Sequence, residues 1–225
     1  MSTGIRKAEV RLDKFNPALV LPWDLRLLDF QSAMQDIYDF FYDVNSYLLE
    51  KGLPRLDEML RPANLSGTLS DMLTDSLATH SRVLTPNLHH NGHPDLVVKG
   101  RYANDDVKSG TDGIEIKATK KKGGAVDTHG GRDQSLCVWT YVVDNDQSKP
   151  AAERDPLTFR EIYLNSVTAT DFRRNERGDL GTRTSTLDAA GLKTFRAGWV
   201  YKDLPAKVSK RQPAKSSRWR ESSKG

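Results

Sequence analysis

The chain has 225 residues, 37% of them apolar and 28% charged, with a formal net charge of +4, which suffices for one domain with its own core and argues against a two-domain enzyme. No stretch approaches the roughly 18 consecutive apolar residues of a membrane span, and the opening MSTGIRKAEVRLDKF has no apolar run behind its charges, so a membrane protein and a secretory leader are not expected. Cys137 is the single cysteine, which excludes a disulfide framework and any multi-cysteine zinc site and predicts a reducing, cytoplasmic setting.

Over residues 25–49 the apolar positions Leu27, Phe30, Met34, Ile37, Phe41, Val44 and Leu48 alternate spacings of three and four. That spacing predicts a helix with one apolar stripe, closed by Gly52 and Pro54. The stripe suits either packing on the chain's own core or a dimer seam. A second helix is predicted over residues 66–80, with Leu69, Met72, Leu73 and Leu77 on one face and Asp71 and Asp75 off it. The turn-rich LTPNLHHNGHP follows, then a short strand DLVVK at residues 95–99, a polar loop and a second strand GIEIKAT at residues 113–119. Residues 136–143 form a continuous apolar run that periodicity alone leaves open between buried strand and buried helix, although composition favours a strand. A strand over residues 157–167, a helix near residues 188–196 and an aromatic segment at residues 199–201 complete the body. Residues 202–225 carry eight Lys/Arg against Asp203 and Glu221, so the basicity sits in a Pro/Ser/Lys tail read as a disordered arm, either solvated or touching phosphates in a salt-sensitive way.

The two strands at residues 95–99 and 113–119 carry the chemistry. Alternation sends Ile114, Ile116 and Ala118 to one face and Glu115, Lys117 and Thr119 to the other, so a carboxylate and an ammonium share one side of a strand anchored by its apolar face. If the strands pair antiparallel, Asp95, which follows Pro94, converges with Glu115 on one divalent cation, with Lys117 beside it. Two carboxylates with water and a backbone carbonyl suit Mg²⁺. Such a metal lowers the pKa of a bound water and offsets the charge of a phosphorane-like transition state, while a neighbouring lysine orients that water or meets the phosphate. The other acid-x-Lys triplet, Asp106 to Lys108, lacks flanking apolar alternation and reads as loop.

HPDLVVK followed after about twenty residues by GIEIKAT resembles the PD-(D/E)xK nuclease superfamily, to which many type II restriction endonucleases belong. Pro94, Asp95, Glu115 and Lys117 match its motif, and the resemblance covers residues 65–143. It implies an α/β fold, a restriction-endonuclease-like core in αβββαβ order with a mixed central sheet flanked by helices. The domain reading is accordingly an N-terminal helical segment (1–64) that packs or dimerises, a nuclease core (65–201) and the basic tail (202–225). The resemblance further implies a Mg²⁺-dependent endonuclease, with Mn²⁺ able to substitute, that cuts double-stranded DNA to leave 5′-phosphates. Asp95, Glu115 and Lys117 would be catalytic. Asp95, Glu115 and the Ile116 backbone carbonyl would ligate metal, with Asp75 a further candidate and Asp71 its neighbour. The family order favours a helix starting near Arg132, with Gln134 at its start facing the site. Lys120, Lys121, Lys122, Arg132 and Gln134 are candidates for DNA contact.

The first expectation is a homodimeric, nucleoid-associated restriction enzyme with a cognate methyltransferase in the same system. Repair, junction and phage-defence nucleases share the residues. A non-catalytic protein using the basic tail for nucleic acid is the alternative of another class, and a surface strand with an ordinary Glu/Lys pair is the structural one. His80, His89, His90 and His93 cluster before Pro94. They suggest zinc or an HNH-type nuclease, yet lack the ligand pattern of either and read as loop histidines that contact DNA or are solvated.

Overall fold

The computed structural model describes residues 4–128, 130–175 and 184–204. Its elements in chain order are helix α1 (Leu27–Glu50), the single turn α2 (Leu56–Met59) and α3 (Pro62–His80), then β1 (Leu84–Pro86), β2 (Leu96–Val98), β3 (Gly113–Thr119), β4 (Asp127–Thr128), β5 (Gln134–Val142), β6 (Thr158–Val167), β7 (Phe172–Arg174), β8 (Ser185–Leu187), α4 (Ala189–Ala197) and β9 (Trp199–Lys202). Six strands form one sheet in the order β1-β2-β3-β5-β6-β9, and β4, β8 and β7 form a smaller one. In the large sheet β3 and β5 run parallel and every other neighbour pair is antiparallel. The chain is thus α/β with a mixed sheet.

The helices form where the apolar period is helical. On α3, with Pro62 in its first turn, Leu65, Leu69, Leu73 and Leu77 recur every four residues and are fully buried. On α1, Phe30, Met34, Ile37 and Phe41 are buried in the same cluster, together with Ile114, Ile116, Ala118 and Trp139 of the sheet. The central part of the α1 stripe therefore packs inside the chain, while Leu27, Val44 and Leu48 at its ends are half-buried. The opposite face of the sheet supports a second, smaller cluster of Leu136, Val138, Tyr163, Leu187 and Phe195, closed by β8 and α4.

The run at residues 136–143 is strand, and the helix expected near Arg132 is not formed: residues 130–133 lead directly into β5. Strand β5 lies between β3 and β6 and is buried from Gln134 to Tyr141, the setting in which a strand reads as a continuous apolar run. Parallel pairing of β3 with β5 needs a crossover of about a dozen residues or more. Residues 120–133 provide it with a 3₁₀ turn (Lys122–Gly124) and β4 in place of an α-helix. The αβββ part of the expected order is present as α3-β1-β2-β3, and the next helix is replaced. Lys202 belongs to β9; the rest of the predicted basic tail from residue 205 onward lies outside the described residues.

Where α1 and α2 meet the loop before β6, charge is buried. Arg55 is paired with Asp57 at 2.5 Å, and Arg154 with Glu58 at 2.6 Å. Asn45 Nδ2 donates to Asp57 Oδ1 at 2.8 Å, and the Arg55 guanidinium also donates to the carbonyl of Asp155 at 3.1 Å. All four ionic side chains are less than a tenth exposed.

Candidate active site

Strand β2 pairs antiparallel with β3, Leu96 opposite Ile114 and Val97 opposite Gly113, so the next step sets Asp95 opposite Glu115. Glycine at 113 makes this approach possible: a Cβ there would lie 2.0 Å from the Leu96 carbonyl oxygen and 2.6 Å from Pro94 Cγ. Because β2 is short, the β3 edge beyond Ile114 is served by side chains. The Ile116 N–H donates to Asp95 Oδ2 at 2.7 Å and the Ala118 N–H to Ser70 Oγ of α3 at 2.9 Å. In a strand the carbonyl of a residue faces the same edge as its N–H, so the Ile116 carbonyl faces the side where Asp95 sits.

Across this edge Lys117 Nζ stands 2.5 Å from Glu115 Oε1 and 3.9 Å from Asp95 Oδ2. The second oxygen of Glu115, Oε2, is 2.7 Å from Nδ1 of His93. His93 is held by its backbone, its N–H to the Lys108 carbonyl at 3.2 Å and its carbonyl from the Gly110 N–H at 2.8 Å. Asn87 ties the same segment together through Nδ2 to the carbonyls of Pro94 and Val107. A cavity of about 290 Å³ opens onto Asn91, His93, Asp95, Glu115, Arg132 and Gln134. An adjoining cleft of about 280 Å³ shares Asp95 and reaches Asp71 and Asp75 on α3.

The structure therefore brings Asp95, Glu115 and Lys117 together, with Arg132 and Gln134 on the same cavity. Gln134 arrives there from the first position of a strand, not from a helix start. Asp71 and Asp75 are exposed residues on the neighbouring cleft, and Asp71 is near enough for its charge to act on Lys117. The three lysines go elsewhere. Lys121 pairs with Asp127 at 3.2 Å, while Lys120 and Lys122 line a separate cavity of about 500 Å³ beside Thr140 and Glu161, where Lys120 stands over the Tyr141 ring. Among the histidines His80 pairs with Asp36 at 2.8 Å and His89 with Asp106 at 2.6 Å, and His90 is exposed. Reading all four as loop histidines missed His93, whose position two residues before Asp95 was the available clue.

The charges interlock. Burial and the neighbouring Glu115 push the Asp95 carboxyl up to about 6, against the opposing pull of Lys117 and the Ile116 N–H. Burial also acts to raise Glu115, but the hydrogen bond from His93 and the Lys117 charge hold it down at about 2. Lys117 is disfavoured as an ammonium by burial, yet the two carboxylates outweigh that and raise its pKa. In the metal-free protein at neutral pH the trio is two carboxylates clamping one ammonium, so Lys117 there is a charge and a donor.

A pH dependence follows for the metal-free protein. Asp95 holds its proton more tightly folded than unfolded, so its favourable contribution is full below the ordinary carboxylate range and is lost as pH rises through about 6. Asp95→Asn keeps an acceptor for the Ile116 N–H and cannot ionise. With a side chain 32% exposed, the gain is discounted for solvent screening: urea unfolding in EDTA should find the variant about 1–2 kcal/mol more stable than wild type at pH 7.5. Most of that advantage should be gone at pH 4, and a gap that does not change between the two pH values would contradict the assignment.

Two carboxylates and a carbonyl on one edge are hard oxygen donors, the set that Mg²⁺ accepts when waters complete its shell. Among the described residues no group of three or more His, Cys, Asp and Glu side chains is arranged to hold a metal ion, so an ion here would rely on those waters or on substrate oxygens. Searches of the chain against protein-family models, curated proteins and solved structures find no match to any of them.

Proposed function

We propose that the chain is a metal-dependent endonuclease that hydrolyses phosphodiesters of double-stranded DNA, with Asp95, Glu115 and Lys117 as its catalytic residues. The observation that carries this reading is the clamp itself: a Lys117 ammonium within 3.9 Å of two partly buried carboxylates, one on β3 and one on the residue just before β2, that open onto one cavity. An ordinary surface Glu/Lys neighbour pair would not raise the pKa of an aspartate on the next strand or bury its own carboxylate. Asp95, Glu115 and the Ile116 carbonyl would hold Mg²⁺, or Mn²⁺ in its place, with Asp75 across the adjoining cleft as a further candidate. When bound, the ion would supply charge to offset the developing phosphorane and a water of lowered pKa. Lys117, within reach of both carboxylates, would donate to the water or to a non-bridging phosphate oxygen. Arg132 and Gln134 line the same cavity, while Lys120 and Lys122 offer charge on a different cavity.

Within this class the reading is a type II restriction endonuclease with the restriction-endonuclease-like core, supported by the αβββ start and by the parallel β3–β5 pair. It carries with it a homodimer, a cognate methyltransferase and a place in the cytoplasm near the nucleoid. Purified protein incubated with plasmid and phage DNA should yield product in Mg²⁺ or Mn²⁺ and none in EDTA. Discrete bands would mark sequence-specific cutting, and nicks or a smear would mark a repair, junction or defence nuclease. No product with any divalent ion would transfer the protein to non-catalytic nucleic-acid binding.

A further inference from the structure

Both oxygens of Glu115 are engaged, Oε1 by Lys117 at 2.5 Å and Oε2 by His93 Nδ1 at 2.7 Å. A carboxylate held at both ends has one orientation left, and that orientation decides which lone pairs face the cavity. The partner at Oε2 is no surface histidine: His93 is 8% exposed and hydrogen-bonded through its backbone on both sides. At 2.7 Å from a carboxylate oxygen, Nδ1 is the nitrogen that carries the proton and donates. The other nitrogen, Nε2, is buried without a hydrogen-bond partner. A buried polar atom without a partner carries an uncompensated desolvation cost. The amide nitrogen of Gln134, 7% exposed, is likewise buried without a partner.

We infer that His93 is the positioning residue of Glu115: its Nδ1–H fixes the carboxylate for the metal. This rests on the proposed metal site. The two nitrogens can be separated by isosteres, since an asparagine amide nitrogen falls near the position of Nδ1 and a glutamine amide nitrogen near that of Nε2. Mn²⁺ binding by the metal-free protein, followed by electron paramagnetic resonance, reads the site without requiring cleavage. His93→Asn should stay within about threefold of wild type, and His93→Gln and His93→Ala should lose about 10- to 100-fold, the usual effect of removing a group that orients a ligand. Equal Mn²⁺ affinities for the Asn and Gln variants would overturn the inference, and that comparison survives a loss of folding in the Ala variant because its members differ by one methylene. A Glu115→Ala protein that binds Mn²⁺ like wild type would instead remove the metal site itself. Mn²⁺ binding that follows the Asn/Gln pattern in a protein that cuts no DNA would leave His93 in place and discard the nuclease.

Discussion

Replacing Lys117 by methionine should lower DNA cleavage by about 10²- to 10⁴-fold, the range over which a positioned donor or proton-transfer group acts. Methionine fills a similar volume, and the lysine side chain is only 30% exposed, so the fold should be retained. The loss should appear in kcat, because the ammonium meets charge that grows as the phosphate is attacked. Glu115→Ala should be at least as inactive, and it should also lose Mn²⁺. The two variants thus separate charge stabilisation from metal binding: Lys117→Met keeps an ion it cannot use well, whereas Glu115→Ala fails to hold one. Cleavage by Lys117→Met within threefold of wild type would mean that the ammonium only neutralises two carboxylates in the resting protein.

The second large effect is expected far from the cavity. Asp57→Ala should lower stability by about 3–5 kcal/mol in urea unfolding, because it strands the Arg55 guanidinium, 3% exposed, without its closest counter-charge. For a chain of this size that corresponds to a fall of about 10 °C in Tm. Glu58 is 3.5 Å from Arg55 Nε and already serves Arg154 at 2.6 Å, so it cannot take over fully. Asn45 would lose its acceptor in the same substitution. A loss below 1 kcal/mol would show that water reaches Arg55 and screens it. Activity per folded molecule should be unchanged, which distinguishes this variant from those at the cavity.

The helices and the strands beside the site were readable because each has one clean period. The four-residue leucine spacing on α3 and the alternation Ile114, Ile116, Ala118 each point one face inward, and the same alternation puts Glu115 and Lys117 on a common side. That Asp95 would meet them followed from assuming neighbouring antiparallel strands, which is how β2 and β3 pair. What the sequence hid lies where period and tertiary demand part. β5 is buried on both faces, so its apolar run looks alike as helix or strand, and the family order pulled the expectation to the wrong side. His93 has no period at all: its role depends on a loop folded back by Asn87 and on the Lys108 and Gly110 backbone, partners 6 to 17 positions away that local pattern does not register. The lysines at 120–122 looked like one patch because they are adjacent in sequence, yet the turn after β3 sends them to different surroundings.

The short outer strands bear on how two copies could meet. β1 has three residues and ends in Pro86, which has no N–H to offer, and at the far side Phe15 bridges to Tyr201 on β9 while the Asn16 N–H donates to the Val200 carbonyl. Neither margin presents a long row of open amides and carbonyls, so the protein is guarded against ribbon-to-ribbon polymerisation. If the proposed endonuclease acts as a homodimer, these margins, among the described residues, favour a seam made through helix or loop surfaces over a continuous twelve-stranded sheet.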